Sequence, residues 1–526
     1  MSDLDRIVTL ELALLTRFIA VALAGIASPV LAQAMPTKMT GMKMPAQASA
    51  KPATPTAKKG EAKNPAKAAK HRPAHERALP VRHTEKASTQ TMTMPMDHGV
   101  KPPSAQPQSG TTMQMPMPSQ PAPAGWMNIP MQGMQHGGQG MNLKAALGSY
   151  REQRESSGTA WQPDASRAMG GPMVMSGDWM LMAHATLNLV YDHQSGLRGN
   201  DKAFASGMLM GMAQHPLGNG TLQFRAMVSP DPTMGANGYP LLLASGETAN
   251  GRDRLIDRQH PHDFFMELSA AVSQNIGSKR SVFVYAGLPG EPAFGPPSFM
   301  HRESTLDSPE APITHHWLDS THISFGLVTA GLVFDRVKIE ASRFNGREPD
   351  QHRWNLETGS LDSTSIRLSW NPTRTLALQG SWAHLVDPEQ LEPGVNQTRW
   401  SASALWADEI APGWHAAATL AWGRKSSLAN SDDGFAAEAS VEHAGWTVFG
   451  RGELVNNREL VQRQDEPAFR VGKVSLGAVR DFRIADHLSL GAGGLFSANF
   501  VPDALAPLYG RHDPTGAMGF VRLKLN

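Results

Sequence analysis

A chain of 526 residues can hold one large domain with additions, and its formal charge of +1 gives no field that would favour a nucleic-acid partner. It has no cysteine, which excludes a disulfide framework and thiolate metal sites and suits an exported protein. Methionine, at 28, is abundant, and most of it precedes residue 180.

Residues 1–32 read as a signal peptide. Arg17 leads into the apolar run 18–26, and Val30-Leu31-Ala32 supplies small residues for cleavage before Gln33. The run is short for a spanning helix. Residues 33–170 are rich in Met, Pro, Lys, Ala and Gln and carry too few core-forming residues to fold, so a disordered periplasmic tail is expected. Its basic stretch 51–86 reads as a solvated spacer. Its methionines recur as Met92, Met94, Met96 with His98, and as Met113, Met115, Met117. Thioether sulfur is a soft ligand that needs no deprotonation, and spacing by two along an extended, Pro-stiffened chain puts sulfurs on one side, which suits Cu(I) or Ag(I). A short helix is expected near 142–156.

From residue 171 to 526 the pattern changes to segments of about ten residues with apolar–polar alternation, the pattern of an outer-membrane β-barrel. Sixteen strands are predicted, centred on 179–191, 203–214, 220–229, 264–275, 281–288, 321–333, 337–345, 362–371, 375–385, 397–407, 414–424, 434–443, 446–455, 471–483, 488–500 and 515–525. Short and long connections alternate, as in a barrel whose two ends lie in the periplasm. The fold class is therefore all-β, a transmembrane antiparallel barrel of about 16 strands behind a disordered tail, embedded in outer-membrane lipid. In the first strand Leu181, Leu187, Leu189 and Tyr191 share the lipid side, and Met180, Met182 and His184 share the lumen side. By the same alternation Met208, Met210 and Met212 face inward, either packing on an in-folded loop or forming a sulfur track for a soft cation.

Six of the 20 histidines fall in one stretch: His260, His262, His301, His315, His316 and His322. They lie on or beside the two longest loops, whose apolar stretches 239–243 and 294–300 would fold into the barrel mouth rather than stand in water. Imidazole among carboxylates suits a borderline transition metal; the alternative is a hydrogen-bonded plug of Asp–His and Arg–carboxylate pairs. His260-Pro261-His262 aims two imidazoles the same way, whereas His315 and His316 point apart.

The tail around Met92 to His98 resembles those of copper-resistance outer-membrane proteins. The runs 175–182, 257–263 (Asp-Arg-Gln-His-Pro-His-Asp) and 346–350 are similar to those of a group of Gram-negative outer-membrane proteins associated with copper or heavy-metal resistance. The tail differs from that class in having mainly Met-Pro and little His. The resemblance implies binding or conduction of copper, as Cu(I), for resistance or efflux, with periplasmic copper-handling proteins as partners. It carries over no catalytic residues. A diffusion porin or solute channel without a metal role is the alternative, and an outer-membrane hydrolase the second. Against an enzyme, no Gly-x-Ser-x-Gly elbow is present.

Overall fold

A computed structural model describes residues 145–167, 170–428, 430–461 and 467–526. The expected signal peptide and the expected tail through residue 144 lie outside these. The strands are β1 (Met173–Ser176), β2 (Trp179–Gln194), β3 (Asp201–Leu217), β4 (Gly220–Val228), β5 (Tyr239–Thr248), β6 (Arg254–Gln259), β7 (Phe265–Gly277), β8 (Arg280–Gly287) and β9 (Leu327–Phe334). They continue as β10 (Val337–Phe344), β11 (Ser363–Trp370), β12 (Leu376–Leu385), β13 (Gln397–Ala411), β14 (Trp414–Ser427) and β15 (Asn430–His443). The last are β16 (Trp446–Asn457), β17 (Phe469–Ala485), β18 (Leu488–Phe500) and β19 (Thr515–Leu525).

Sixteen of them, β2 to β4 and β7 to β19, pair antiparallel with their neighbours in sequence order, and β19 closes on β2 through pairs such as Val521↔Leu189. Closure leaves no strand edge in lipid, which a membrane-spanning sheet requires. The fold is a closed outer-membrane β-barrel. No helix among the described residues is long and apolar enough to cross a membrane.

The alternation is regular. On β11, Ser363, Ser365, Arg367 and Ser369 are buried inward, while Ile366, Leu368 and Trp370 are exposed to the lipid side. Two-residue turns at Gly218-Asn219, Asp335-Arg336 and Ala444-Gly445 mark one end. Gly218, Asp335, Ala444 and Gly445 take the positive φ that such tight hairpins demand. Long connections occupy the other end.

All sixteen expected barrel strands are present, with two differences. The strand expected from 321 begins at Leu327, because 315–322 instead forms a helical turn (His315–Leu318) and a 3-10 turn (Ser320–His322). The long loop after β4 carries a hairpin of its own, β5–β6. This hairpin lies inside the barrel: Leu241, Leu242 and Leu243 are fully buried among Phe299, Trp317, Phe449 and Tyr509.

Residues 145–167, expected within the unfolded tail, also pack in the lumen. They lack the apolar content to fold alone, but the barrel wall supplies partners. Ser273 and Ser281 donate to the carbonyls of Ala146 and Leu147 at 2.6 and 2.7 Å. Arg225 donates to the carbonyl of Gly158, and Asn371 to that of Gln162. Leu147 and Trp161 join an apolar cluster with Phe283, Tyr285 and Phe294. The helix expected over 142–156 is absent from its described part, which has only a 3-10 turn at Glu152–Arg154. Asp164 holds Arg154 at 2.5 Å, and the Arg154 guanidinium sits 4.8 Å over both Tyr150 and Trp161, an arrangement that favours a compact knot.

Candidate functional site

The two in-folded long loops bring histidines together in the lumen. His262 follows the β5–β6 hairpin. His315 and His322 come from the helical turns after β8, with Asp319 between them. One ring nitrogen from each of His262, His315 and His322 lies within 4.8 Å of the others, and all three residues are buried.

Each ring is fixed through its other nitrogen. His262 Nδ1 donates to Asp231 Oδ2 at 2.8 Å. His315 Nδ1 donates to Asp319 Oδ1 at 2.8 Å, and His322 Nδ1 to the Asp319 carbonyl at 2.7 Å. Carboxylates and carbonyls only accept, so all three rings carry their proton on Nδ1 and present a lone pair at Nε2. The Nε2 atoms of His262 and His322 are buried and have no partner among the described residues. Leaving such an atom unpaired costs about 1–3 kcal/mol.

Burial pushes His322 well below the ordinary imidazole range and also lowers His315, outweighing its bond to Asp319. Both rings are thus neutral bases at neutral pH. Burial works against the Asp319 charge, but the hydrogen bond from His315 and the nearby Arg302 guanidinium, at 3.0 Å, hold this carboxyl well below its usual value. Phe299 screens the trio from water, its ring 5.9 Å from His262 and 5.5 Å from His315.

The other predicted histidines surround this trio without completing it. His260 lies 5.8 Å from His315, centroid to centroid, with Nε2 3.2 Å from Glu247. Burial, then the Arg353 charge, keeps it neutral. His316 turns away from the trio toward Glu348, 3.9 Å from its Nδ1. His301 faces His184 and Arg225, and burial depresses it to about 3.

Met208 and Met210 form a buried cluster with Met227, Met266, Ile323 and Phe325, against which Met300 packs. Met212 pairs across the sheet with Met182, and Met210 with His184. Met180 is buried on the same face, and His184 Nδ1 donates to the Gly170 carbonyl at 3.2 Å. Ile323 places this sulfur-rich stretch directly after His322 in the chain. A cavity of ≈ 60 Å³ is bordered by His262, Met208 and Met300 among others. Met92, Met94, Met96, His98, Met113, Met115 and Met117 lie outside the described residues.

Asp231 was not anticipated as a partner, because it sits about thirty residues before His262 in an irregular loop. Asp319 counted only as one nearby carboxylate. Its spacing of four from His315 was a usable signal only once that stretch was known to be helical.

No family model matches the chain, and neither does any curated protein. Among solved structures, Salmonella typhi OmpF in complex with daunomycin is 12% identical, with a TM-score of 0.42, covering 67% of this chain and 100% of that one. An anion-selective porin from Comamonas acidovorans is 12% identical with a TM-score of 0.40, covering 66% and 99%. OmpT of Vibrio cholerae is 7% identical with a TM-score of 0.39, covering 67% and 100%. Likeness this distant adds nothing to what the strand pairing itself shows.

Proposed function

We propose that the protein is a pore of the outer membrane whose lumen is closed by its own segments and opens when they withdraw. The observation that carries this reading is the charged inner wall and what faces it. Glu438 on β15 meets Arg302 at 2.7 Å, Arg451 on β16 meets Glu310 at 3.2 Å, Arg522 on β19 meets Asp307 at 2.7 Å, and Arg399 on β13 meets Glu348 at 3.1 Å. In each pair one partner belongs to the wall and the other to a loop, which in the first three is the in-folded loop between β8 and β9. A wall built to stay dry would be apolar. Buried ion pairs add little net stability over their hydrated, separated partners. Withdrawing the loops therefore exchanges ion pairs for hydration at modest cost and leaves a wall suited to water and small polar solutes.

A second reading has its own observation. The buried methionine cluster and His262 border one cavity, which favours passage or retention of a soft or borderline cation, copper included. Affinity at each point would have to be modest for the ion to leave.

Locking the plug tests the pore. A Cβ at Gly148 would lie 2.8 Å from Ser281 Oγ but also 2.5 Å from the Tyr150 ring, so Gly148→Cys with Ser281→Cys, made together with Tyr150→Ala to clear that space, creates one disulfide in a chain that otherwise has no cysteine. In a planar bilayer the oxidised protein is expected to stay closed and the reduced protein to show channel openings. Steady porin-sized conductance from the oxidised protein would sink the reading.

A further inference from the structure

We propose that His262, His315 and His322 hold a divalent transition-metal ion through their Nε2 atoms, as a site built into the closed lumen. This stands apart from the pore reading and rests on a different observation, the convergence of three pre-oriented imidazoles.

Two features separate the trio from histidines that merely fill a polar interior. Buried histidines ordinarily satisfy both ring nitrogens. Here the three Nδ1 atoms are satisfied, by Asp231, by the Asp319 carboxylate and by the Asp319 carbonyl. The Nε2 atoms of His262 and His322 are buried without a partner among the described residues, and one ring nitrogen of each of the three histidines lies within 4.8 Å of the others. Imidazoles that bind metal show the same arrangement, the far N–H donating to a carboxylate or carbonyl that fixes tautomer and ring orientation. The two in-folded loops supply one and two ligands respectively, so the ion would also tie them to each other.

The donor set defines the class of ion. Three neutral nitrogen donors suit zinc, cobalt, nickel or copper(II), whereas calcium and magnesium require oxygen. No methionine belongs to the trio. Three protein ligands with an open fourth position is a common zinc arrangement.

The test uses the full chain, folded in detergent, titrated with Co(II) as a visible probe and competed with Zn(II). One tight equivalent with the intense absorption of tetrahedral cobalt is expected. His262→Ala and His322→Ala should each weaken that equivalent at least 100-fold. His352→Ala, an exposed histidine beside Asp350, should not. Binding unchanged in both trio variants would overturn the site. Should those variants fail to fold, as read from their gel shift on heating, X-ray absorption of the Co(II)-loaded unmodified chain decides. A shell containing three imidazoles supports the proposal, and a sulfur or all-oxygen shell overturns it. None of these readouts depends on conductance, so failure of the metal site and failure of the pore can be told apart.

Discussion

Asp319 accepts from His315 across a single helical turn, Nδ1 to Oδ1 at 2.8 Å. Its other oxygen takes the Phe299 amide at 2.9 Å and Arg302 at 3.0 Å, and its carbonyl takes His322. One residue thus orients two imidazoles and links them to the ion-pair network of the wall. Asp231, by contrast, uses its carboxylate among the described residues on His262 alone. The two carboxylates should therefore be separable by mutation. Asp231→Ala should weaken Co(II) binding about 10–100-fold, the usual effect of losing an outer partner of a ligand, and leave unfolding in urea nearly unchanged. Asp319→Ala should lower both affinity and stability.

Arg302 has no exposed surface and is bracketed by Glu438 and Asp319. Arg302→Leu leaves Glu438 buried with the Ser304 hydroxyl, at 2.9 Å, and the charge of Arg451 but no direct ion pair. Breaking one side of such a pair costs about 3–5 kcal/mol, whereas replacing both charges is often close to neutral. Arg302→Leu should thus destabilise the folded barrel by that amount, and the double variant Arg302→Leu/Glu438→Leu should recover most of it. Urea titrations of the refolded proteins measure both. Equal losses in the single and double variants would show that this pair does not anchor the loop.

The barrel was legible because each strand records its two environments at a period of two, and because turn and loop lengths alternate. Met208, Met210 and Met212 are assigned to the lumen by the alternation carried over from the first strand. The contents of the lumen were not legible. Residues 145–167 have the composition of an unfolded linker, and side chains of distant strands, Ser273, Ser281, Arg225 and Asn371 among them, give their carbonyls partners. The histidine trio was visible as a crowded stretch, but which three of six converge depends on the turn at 315–322 and on Asp231. Both are fixed by tertiary packing, which leaves no periodic trace in sequence.

The facing of β3 gives a prediction about the wall. Leu209 is half exposed on the lipid side, and Met210 is buried on the lumen side. Leu209→Arg should cost about 2–4 kcal/mol of folding stability in a bilayer if the residue lies near its midplane. Met210→Leu, which keeps volume inside the lumen, should cost less than about 1.5 kcal/mol. Equilibrium unfolding from lipid vesicles checks the pair, and a reversal of the order would mean that this strand faces the other way.

Asp307 sets the acid limit of the closed state. Its carboxyl is buried against Arg522 at 2.7 Å, Lys524 at 3.4 Å and Arg167 at 4.0 Å, with Asp481 on the far side of both wall cations. Burial opposes its charge, but Lys524, Arg522 and Arg167 together hold it far below the ordinary carboxylate value. A depressed carboxylate contributes stability in full above its unfolded value and loses it as the pH falls toward the folded one. Asp307 therefore anchors the loop between β8 and β9 equally well from pH 5 to 8 and releases it only in stronger acid. Glu291 on the same loop acts in the opposite sense. Burial outweighs its Arg367 partner and raises it to about 7, so its contribution is complete below the ordinary glutamate value and is lost as the pH climbs through 7. Protease cleavage within 289–326 should accordingly increase below about pH 4 and again as the pH rises from about 4 to 7, levelling off above 7. Asp307→Asn should blunt the acid arm alone and Glu291→Gln the upper arm alone. Identical profiles in the two variants would remove these carboxyls as the loop's anchors.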